Sequence, residues 1–313
     1  MLDIFYFDKE LKKGSLSELS KVKGKPLWID ITNIKKDEAE AIGNIFGLHA
    51  LTVEDILTKK TRIKIETFND YMLCVFYGIR MNKELELVEF DFVIGKDYII
   101  SNHFGDAETV NELKRHPDRI KELLQKGPEF LFHRIIDAEV DNYFPVLENI
   151  DEQIENIEER VTKRPEPALM NRILKIKRSI IFIKKSAMPQ REKIGFLAKN
   201  DYPFISKRSV PYFRDLYDHS IRISDAIENY REAIGNTFDV YMSAVSNSTN
   251  EVMKVLSMIA TIALPLTVIS GIYGTNFLTL PGSKNNNGFW IMLTLMSLMV
   301  IGMVYFFRKR RWF

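Results

Sequence analysis

Two long runs without charge constrain this chain more than any other feature. No charged residue falls between Lys254 and Lys284, and none between Lys284 and Arg308. Each run is long enough to cross a hydrocarbon core of roughly 30 Å at ~1.5 Å per helical residue. The segment Tyr273-Gly274-Thr275-Asn276-Phe277 joins them. Everything ahead of them reads as a soluble protein. The sequence therefore predicts a large soluble domain fused to a short membrane hairpin.

Averaged composition hides this division. Hydrophobic residues make up 46% and charged residues 27% of the 313, an ordinary globular mixture, but the apolar residues concentrate after Glu251. The net charge of +2 lacks the basic excess of a nucleic-acid protein, so no nucleic-acid partner is expected. Cys74 is the single cysteine, which excludes an internal disulfide and a thiolate metal cluster. The opening residues Met1-Leu2-Asp3-Ile4-Phe5 lack the basic-then-apolar pattern of a secretory signal, so the soluble part is expected to stay in the cytoplasm. The basic cluster Arg308-Lys309-Arg310-Arg311 after the second run marks the cytoplasmic side. Two spans in the cell (inner) membrane would then place both termini on its cytoplasmic side and residues 274–287 outside. Trp290, Tyr305 and Trp312 suit interfacial belts.

Residues 1–128 mix strand and helix signals. Strands are expected at 26–31, 71–77, 89–94 and 98–100, with Gly95-Lys96-Asp97 as a turn, and helices at 37–46, 51–59, 108–114 and 118–124. This predicts an α/β domain with a mainly antiparallel sheet. Residues 129–210 are expected to form a helical hairpin. Val140, Phe144, Leu147, Ile150, Ile154, Ile157 and Val161 recur at helical spacing, and Ile173, Ile176, Ile180 and Ile183 do so after Arg164-Pro165-Glu166-Pro167. The first helix is acidic and the second basic, which suits antiparallel pairing, although solvated faces explain the same pattern. Helical periodicity then runs without a proline from Pro211 to Pro265. A stalk helix at 211–251 would continue into a first span at 252–273, about 90 Å in all. Pro265 would bend that span by removing one backbone bond. The loop 274–287, a second span at 288–307 and a basic tail at 308–313 complete the chain.

One face of the first span reads Asn250, Met253, Leu256, Ala260, Leu264, Thr267 and Gly271, at spacings of three and four. Small and hydroxyl residues at membrane depth serve helix packing, and that is one reading of the stripe. The other is a pore built from several copies around an axis, since two spans cannot enclose a water path alone. Met253 and Leu256 would then form a hydrophobic constriction. Thr267 and Asn276 would offer neutral oxygens to a hard cation that keeps its water.

Three segments carry a family resemblance: Glu251-Val252-Met253-Lys254-Val255-Leu256, then Pro265-Leu266-Thr267, then Gly271-Ile272-Tyr273-Gly274-Thr275-Asn276-Phe277. They closely resemble the CorA family of divalent-cation channels. Glu54-Asp55-Ile56-Leu57 with Arg62 and Lys64, Val210 to His219, and the basic end at Trp312 also resemble family segments. The resemblance implies an α+β cytoplasmic domain, an αβα sandwich, followed by a long stalk and two transmembrane helices, assembled as a funnel-shaped homopentamer in the lipid bilayer. It implies that Gly274, Thr275 and Asn276 form the ion-selecting loop, that the Asn250-to-Gly271 stripe lines the pore, and that Mg2+ is carried, with Co2+, Ni2+ or Zn2+ as further ions. It also implies gating by intracellular Mg2+, with Asp215 as a regulatory carboxylate. Its partner would come from a neighbouring chain just after the strand at 71–77, where Glu84 or Glu86 could serve.

Two departures from the family stand out. Thr275 replaces the methionine of the Gly-Met-Asn signature, and the loop carries Lys284 but no acid. The ZntB branch, which transports zinc, also varies at the middle position and has a Pro-Gly loop similar to Pro281-Gly282. Potential-driven magnesium transport is the first expectation, a proton-linked zinc transporter the second, and a non-conducting anchored regulator the third. Lys254 with Arg308, Lys309, Arg310 and Arg311 would form a positive ring at the cytoplasmic mouth or simply anchor the hairpin to anionic lipid. His219 and Asp215 are four residues apart and could share an ion, but a packed or solvated His219 explains the spacing equally. There is no phosphate-cradling glycine loop and no nucleophile–base pattern, so no enzyme is expected.

Overall fold

The computed structural model describes residues 1–82, 84–199, 202–277, 280–282 and 285–312. It forms two compact units, Met1–Arg160 with Pro167–Phe238 and Val161–Glu166 with Asp239–Phe313.

The first unit is built on a seven-stranded sheet. Strands β1 (Leu2–Asp8), β2 (Glu10–Gly14), β3 (Leu27–Thr32), β4 (Lys64–Thr67), β5 (Tyr71–Met81), β6 (Leu85–Gly95) and β7 (Tyr98–His103) lie in the order β2-β1-β3-β7-β6-β5-β4. Only β3 and β7 pair in parallel. Alternation along each strand divides the apolar residues between two faces. Ile29, Leu73, Val75, Val93 and Ile100 face α1 (Leu19–Val22), α2 (Lys36–Phe46) and α3 (Ala50–Leu57). Phe76 and Phe92 meet Phe132 on the opposite face, which α4 (Glu108–Lys114), α5 (Pro117–Lys126) and α6 (Pro128–Asp141) cover. The result is an αβα sandwich. Strands β1, β2 and β4 are additions to the four expected from sequence.

Two features of the sheet position α6 and the α3–β4 connection. Gly78 of β5 lets α6 approach: a Cβ there would fall on the carboxylate of Glu139. Buried Glu139 forms a bidentate pair with Arg80, with both bonds at 2.6 Å. Gly78→Ala should displace that carboxylate and strand a buried charge. We expect a loss of about 3 kcal/mol or more, read by thermal unfolding.

On the other face, Glu89 accepts the backbone N–H groups of Lys60 and Thr61, which fixes the α3–β4 connection. Buried Asn102 donates to the Ile56 carbonyl at 3.0 Å and to Asp91 at 2.9 Å. Burial pushes the Asp91 carboxyl well above the usual carboxylate range; the Asn102 bond opposes this, while the charges of Glu89 and Asp55 add to it. A carboxyl that holds its proton more tightly when folded loses stability as pH rises above its unfolded value of about 3.9. Asp91→Asn should therefore raise the melting temperature at neutral pH, by the equivalent of about 1–2 kcal/mol. The gain over the parent should shrink on acidification, a trend that unfolding scans across pH will show.

The helical region differs from the expected pair. Three helices replace two: α6 ends at Asp141, α7 runs Tyr143–Lys163, and α8 runs Pro167–Lys199. Pro145 accounts for the break. It lacks the N–H that would bond to the Asp141 carbonyl, and its ring crowds that same group. Val140 thus belongs to α6, while Leu147, Ile150, Ile154 and Ile157 form the buried stripe of α7. Ile173, Ile176, Ile180 and Ile183 form that of α8. The opposite charges are not spent on each other alone. Lys184 of α8 pairs with Glu228, and Glu158 of α7 accepts from Thr237, both partners lying on α9 (Val210–Tyr273).

In the second unit, α9 continues through Pro265 to Tyr273, and α10 spans Gly288–Lys309. Both are long and apolar enough to cross a membrane.

Candidate functional site

Helices α6 and α9 are held in register by aromatic residues. Phe132 packs on Phe213 with ring centres 5.8 Å apart, and His133 lies edge-on to Phe213 at 5.3 Å. His133 Nε2 stands 3.0 Å from the carbonyl of Tyr212, the geometry of an N–H donating to that oxygen. Arg80 and Glu139 pin the other side of α6 to the sheet. This places Asp137 and Asp141, one helical turn apart, opposite the first turns of α9.

There they meet His219. Ligand atoms of Asp137, Asp141 and His219 all lie within 4.8 Å of one another. His219 Nδ1 is 3.1 Å from Asp141 Oδ1, and Nε2 is 3.9 Å from Asp215 Oδ2. Asp137 is half-buried, whereas Asp141 and Asp215 are exposed. Burial raises the Asp137 carboxyl above its ordinary range; the charge of Asp141 adds to this and His133 opposes it. Burial likewise lowers the His133 imidazole. Carboxylates in this position repel one another until a cation arrives. Two carboxylates and an imidazole suit a divalent ion: magnesium would take the oxygens and keep several waters, and cobalt or nickel also accepts imidazole. The donor set therefore fits such an ion.

Sequence reasoning singled out Asp215 and His219 but missed Asp137 and Asp141. The available signal was the pair of aspartates at i and i+4, with Glu139 between them on the opposite, sheet-facing side. Glu84 and Glu86 fall elsewhere. Both are exposed near the turn of the β5–β6 hairpin, and Glu86 stands opposite Arg80 in the strand register. Within one chain neither joins the group around His219; the pairing expected for them is with Asp215 of a neighbouring chain.

The second unit contains the other predicted residues. The two spans shelter a defined side of each helix. On α9 that side carries Lys254, Met258, Ile262, Leu266 and Ile269; on α10 it carries Met292, Met296, Met299, Met303 and Phe307. The stripe of Asn250, Met253, Leu256, Ala260, Leu264, Thr267 and Gly271 lies outside it and is exposed throughout, with Leu264 at 70%. Packing within the hairpin thus leaves this stripe unused. Lys254 lies over the Trp312 ring at 6.0 Å, which brings it to the end of the hairpin that carries Arg308, Lys309, Arg310 and Arg311.

The loop begins as a helix cap. Gly274 N–H donates to the Ser270 carbonyl at 2.8 Å, and the Thr275 hydroxyl donates to the Ile272 carbonyl at 2.7 Å. The Thr275 hydroxyl thereby adds to its own backbone N–H, which reaches the same carbonyl at 3.3 Å, and tightens the last turn of α9. The Tyr273 hydroxyl reaches across to the Pro281 carbonyl at 3.1 Å. Among the described residues, nothing in the chain bonds to the Asn276 side chain, which is exposed. Lys284, with Leu278, Thr279, Ser283 and the terminal Phe313, lies outside the described residues.

Comparison with known proteins matches residues 23–309 to the family described as CorA-like Mg2+ transporter protein. The cobalt/magnesium transport protein CorA of Thermotoga maritima is 40% identical over 294 residues, covering 92% of this chain and 83% of that protein. A putative metal ion transporter of Bacillus subtilis, YfjQ, is 28% identical over 287 residues, covering 91% of this chain and 89% of that protein. The solved structure of the CorA magnesium transporter from Methanocaldococcus jannaschii has the same fold, with a TM-score of 0.88 at 23% identity, over 100% of this chain and 99% of that one.

Proposed function

Starting from the fact that the chain belongs to the CorA-like Mg2+ transporter family, we propose that it is a channel for magnesium, and also for cobalt and nickel, driven by the membrane potential. The observation that carries this reading is the 40% identity, across most of both chains, to a protein named for cobalt and magnesium transport. A doubly charged ion gains about 4.6 kcal/mol per 100 mV on moving inward, so no ATP is required.

In this reading five copies surround one path, with both termini in the cytoplasm. Their exposed Asn250-to-Gly271 stripes line it. Asn276, with Gly274 and Thr275, meets the hydrated ion at the outer end. Lys254 and the Arg308–Arg311 cluster surround the inner end. Asp137, Asp141 and His219, with Asp215 beside them, would hold a regulatory ion. Its binding favours one arrangement of the subunits over another, so internal magnesium shifts the channel towards its closed state.

The purified protein should be placed in liposomes carrying magnesium and zinc dyes. Magnesium entry that follows an imposed potential supports the proposal. Zinc entry that follows a proton gradient, without magnesium entry, would replace it with the zinc-transporter reading. No entry of either ion would leave an anchored regulator.

A further inference from the structure

A groove of about 880 Å³ opens in the first unit between the α3–β4 connection, the first residues of β6 and α8. It is distinct from the Asp137–Asp141–His219 cluster and plays no part in the ion path described above. Its size falls within the usual range of small-molecule sites.

Both walls are fixed. The α3–β4 connection is held by Glu89 through the N–H groups of Lys60 and Thr61, and by the Tyr77 hydroxyl, which donates to the Thr61 carbonyl at 2.7 Å. Helix α8 is fixed by Gln190, which accepts the Tyr77 N–H at 2.8 Å. The groove is therefore largely preformed, and its occupant need not organise it.

Its lining divides into three chemistries. Lys60 and Arg62 come from one wall, and Lys185 and Lys193 from the other. Lys193 pairs with Glu192 at 3.2 Å. Among the described residues, Lys60, Arg62 and Lys185 form no ion pair. Between the walls lie Ile63, Leu85, Leu87, Phe182 and Pro189. Phe182 is a large aromatic ring left 38% exposed on a soluble domain. Glu86 and Glu192 add acceptors.

Unpaired cations on both sides of an apolar floor select a multiply charged anion with a flat apolar body. A fatty acid would need one cation and no acceptors. The acceptors suit a ligand that also donates hydrogen bonds, as ribose hydroxyls and a base amine do. We propose that this groove binds a nucleoside polyphosphate. The base lies against Phe182, Leu85 and Leu87, the phosphates lie between Lys60, Arg62 and Lys185, and the acids face the sugar and base donors.

The test is equilibrium dialysis of labelled ATP against the full chain in lipid nanodiscs. Magnesium is held in excess of the nucleotide so that chelation changes nothing else. The expected result is saturable binding of one ATP per chain, weakened at least tenfold in the double variant Lys60→Glu/Arg62→Glu and measurably in Phe182→Ala. Tripolyphosphate should compete at least tenfold less well than ATP. The single variant Arg62→Gln, checked by gel filtration and thermal unfolding, keeps the test valid if the double variant misfolds, and it too must weaken binding. Absence of saturable binding, or binding indifferent to these charges, overturns the proposal. Equal competition by tripolyphosphate would reduce the groove to a general anion patch, and equal competition by oleate would make it a site for apolar anions; either result refutes a nucleotide site.

Discussion

Asn276→Ala should reduce potential-driven magnesium entry into liposomes to the rate of protein-free vesicles. Loss of one amide would have so large an effect because neither residue that precedes it in the Gly274-Thr275-Asn276 motif can replace it. Gly274 has no side chain, and the Thr275 hydroxyl already donates to the Ile272 carbonyl. Among the described residues the Asn276 side chain has no partner, and it is exposed to a hydrated ion. A partly hydrated magnesium ion is recognised through its water, so a neutral amide that neither strips nor repels it is the required chemistry. Thr275→Met should retain entry, since a thioether leaves the amide free and the backbone N–H at 275 still reaches the Ile272 carbonyl. Flux in Asn276→Ala equal to the parent would refute the assignment of the loop. Flux lost in Thr275→Met as well would move the critical contact to the threonine.

The second large effect concerns the cluster on α6 and α9. The double variant Asp137→Asn/Asp141→Asn should remove stabilisation by magnesium. A ligand present at a hundred times its dissociation constant stabilises the folded state by about 2.7 kcal/mol, which for a unit of this size corresponds to roughly 5–10 °C in melting temperature. The parent should show a shift of that order on adding magnesium, and the variant little or none. Without magnesium the order should reverse. Burial raises the Asp137 carboxyl and its repulsion from Asp141 costs stability, so the neutral pair should melt no lower than the parent. The same variant should admit magnesium at internal concentrations that silence the parent. A variant that loses the thermal shift yet closes normally would leave the cluster as a binding site without a role in gating.

Each element is legible in the sequence to the extent that its signal is local. Strands β3, β5, β6 and β7 were legible because they are central and apolar on both faces, and the spans because each lacks charge over a bilayer thickness. Strand β2, Glu-Leu-Lys-Lys-Gly, was not, because it is an edge strand whose exposed lysines resemble a loop and also block pairing with another chain. Strand β4 is four residues long and half-buried, too short to show a period. The α6–α7 boundary depended on Pro145, a residue with a legible effect that an uninterrupted apolar stripe concealed.

The candidate site divides in the same way. Asn276, the stripe on α9 and the basic cluster are contiguous or periodic in sequence, and local spacing suffices to pick them out. His219 is different: Asp141, its partner at 3.1 Å, is 78 residues away. No spacing rule reaches that far, and the two meet only because Phe132, His133, Tyr212 and Phe213 set the register of α6 against α9. The groove beside Phe182 likewise requires β6, α8 and the α3–β4 connection to converge. Hydrophobic periodicity and the absence of charge by themselves determined the class of this protein, a soluble α/β unit joined to two membrane-spanning helices, because partition between water, core and lipid acts on each segment separately. Which carboxylates face which imidazole was decided only by tertiary packing, because it depends on the relative placement of helices distant in sequence.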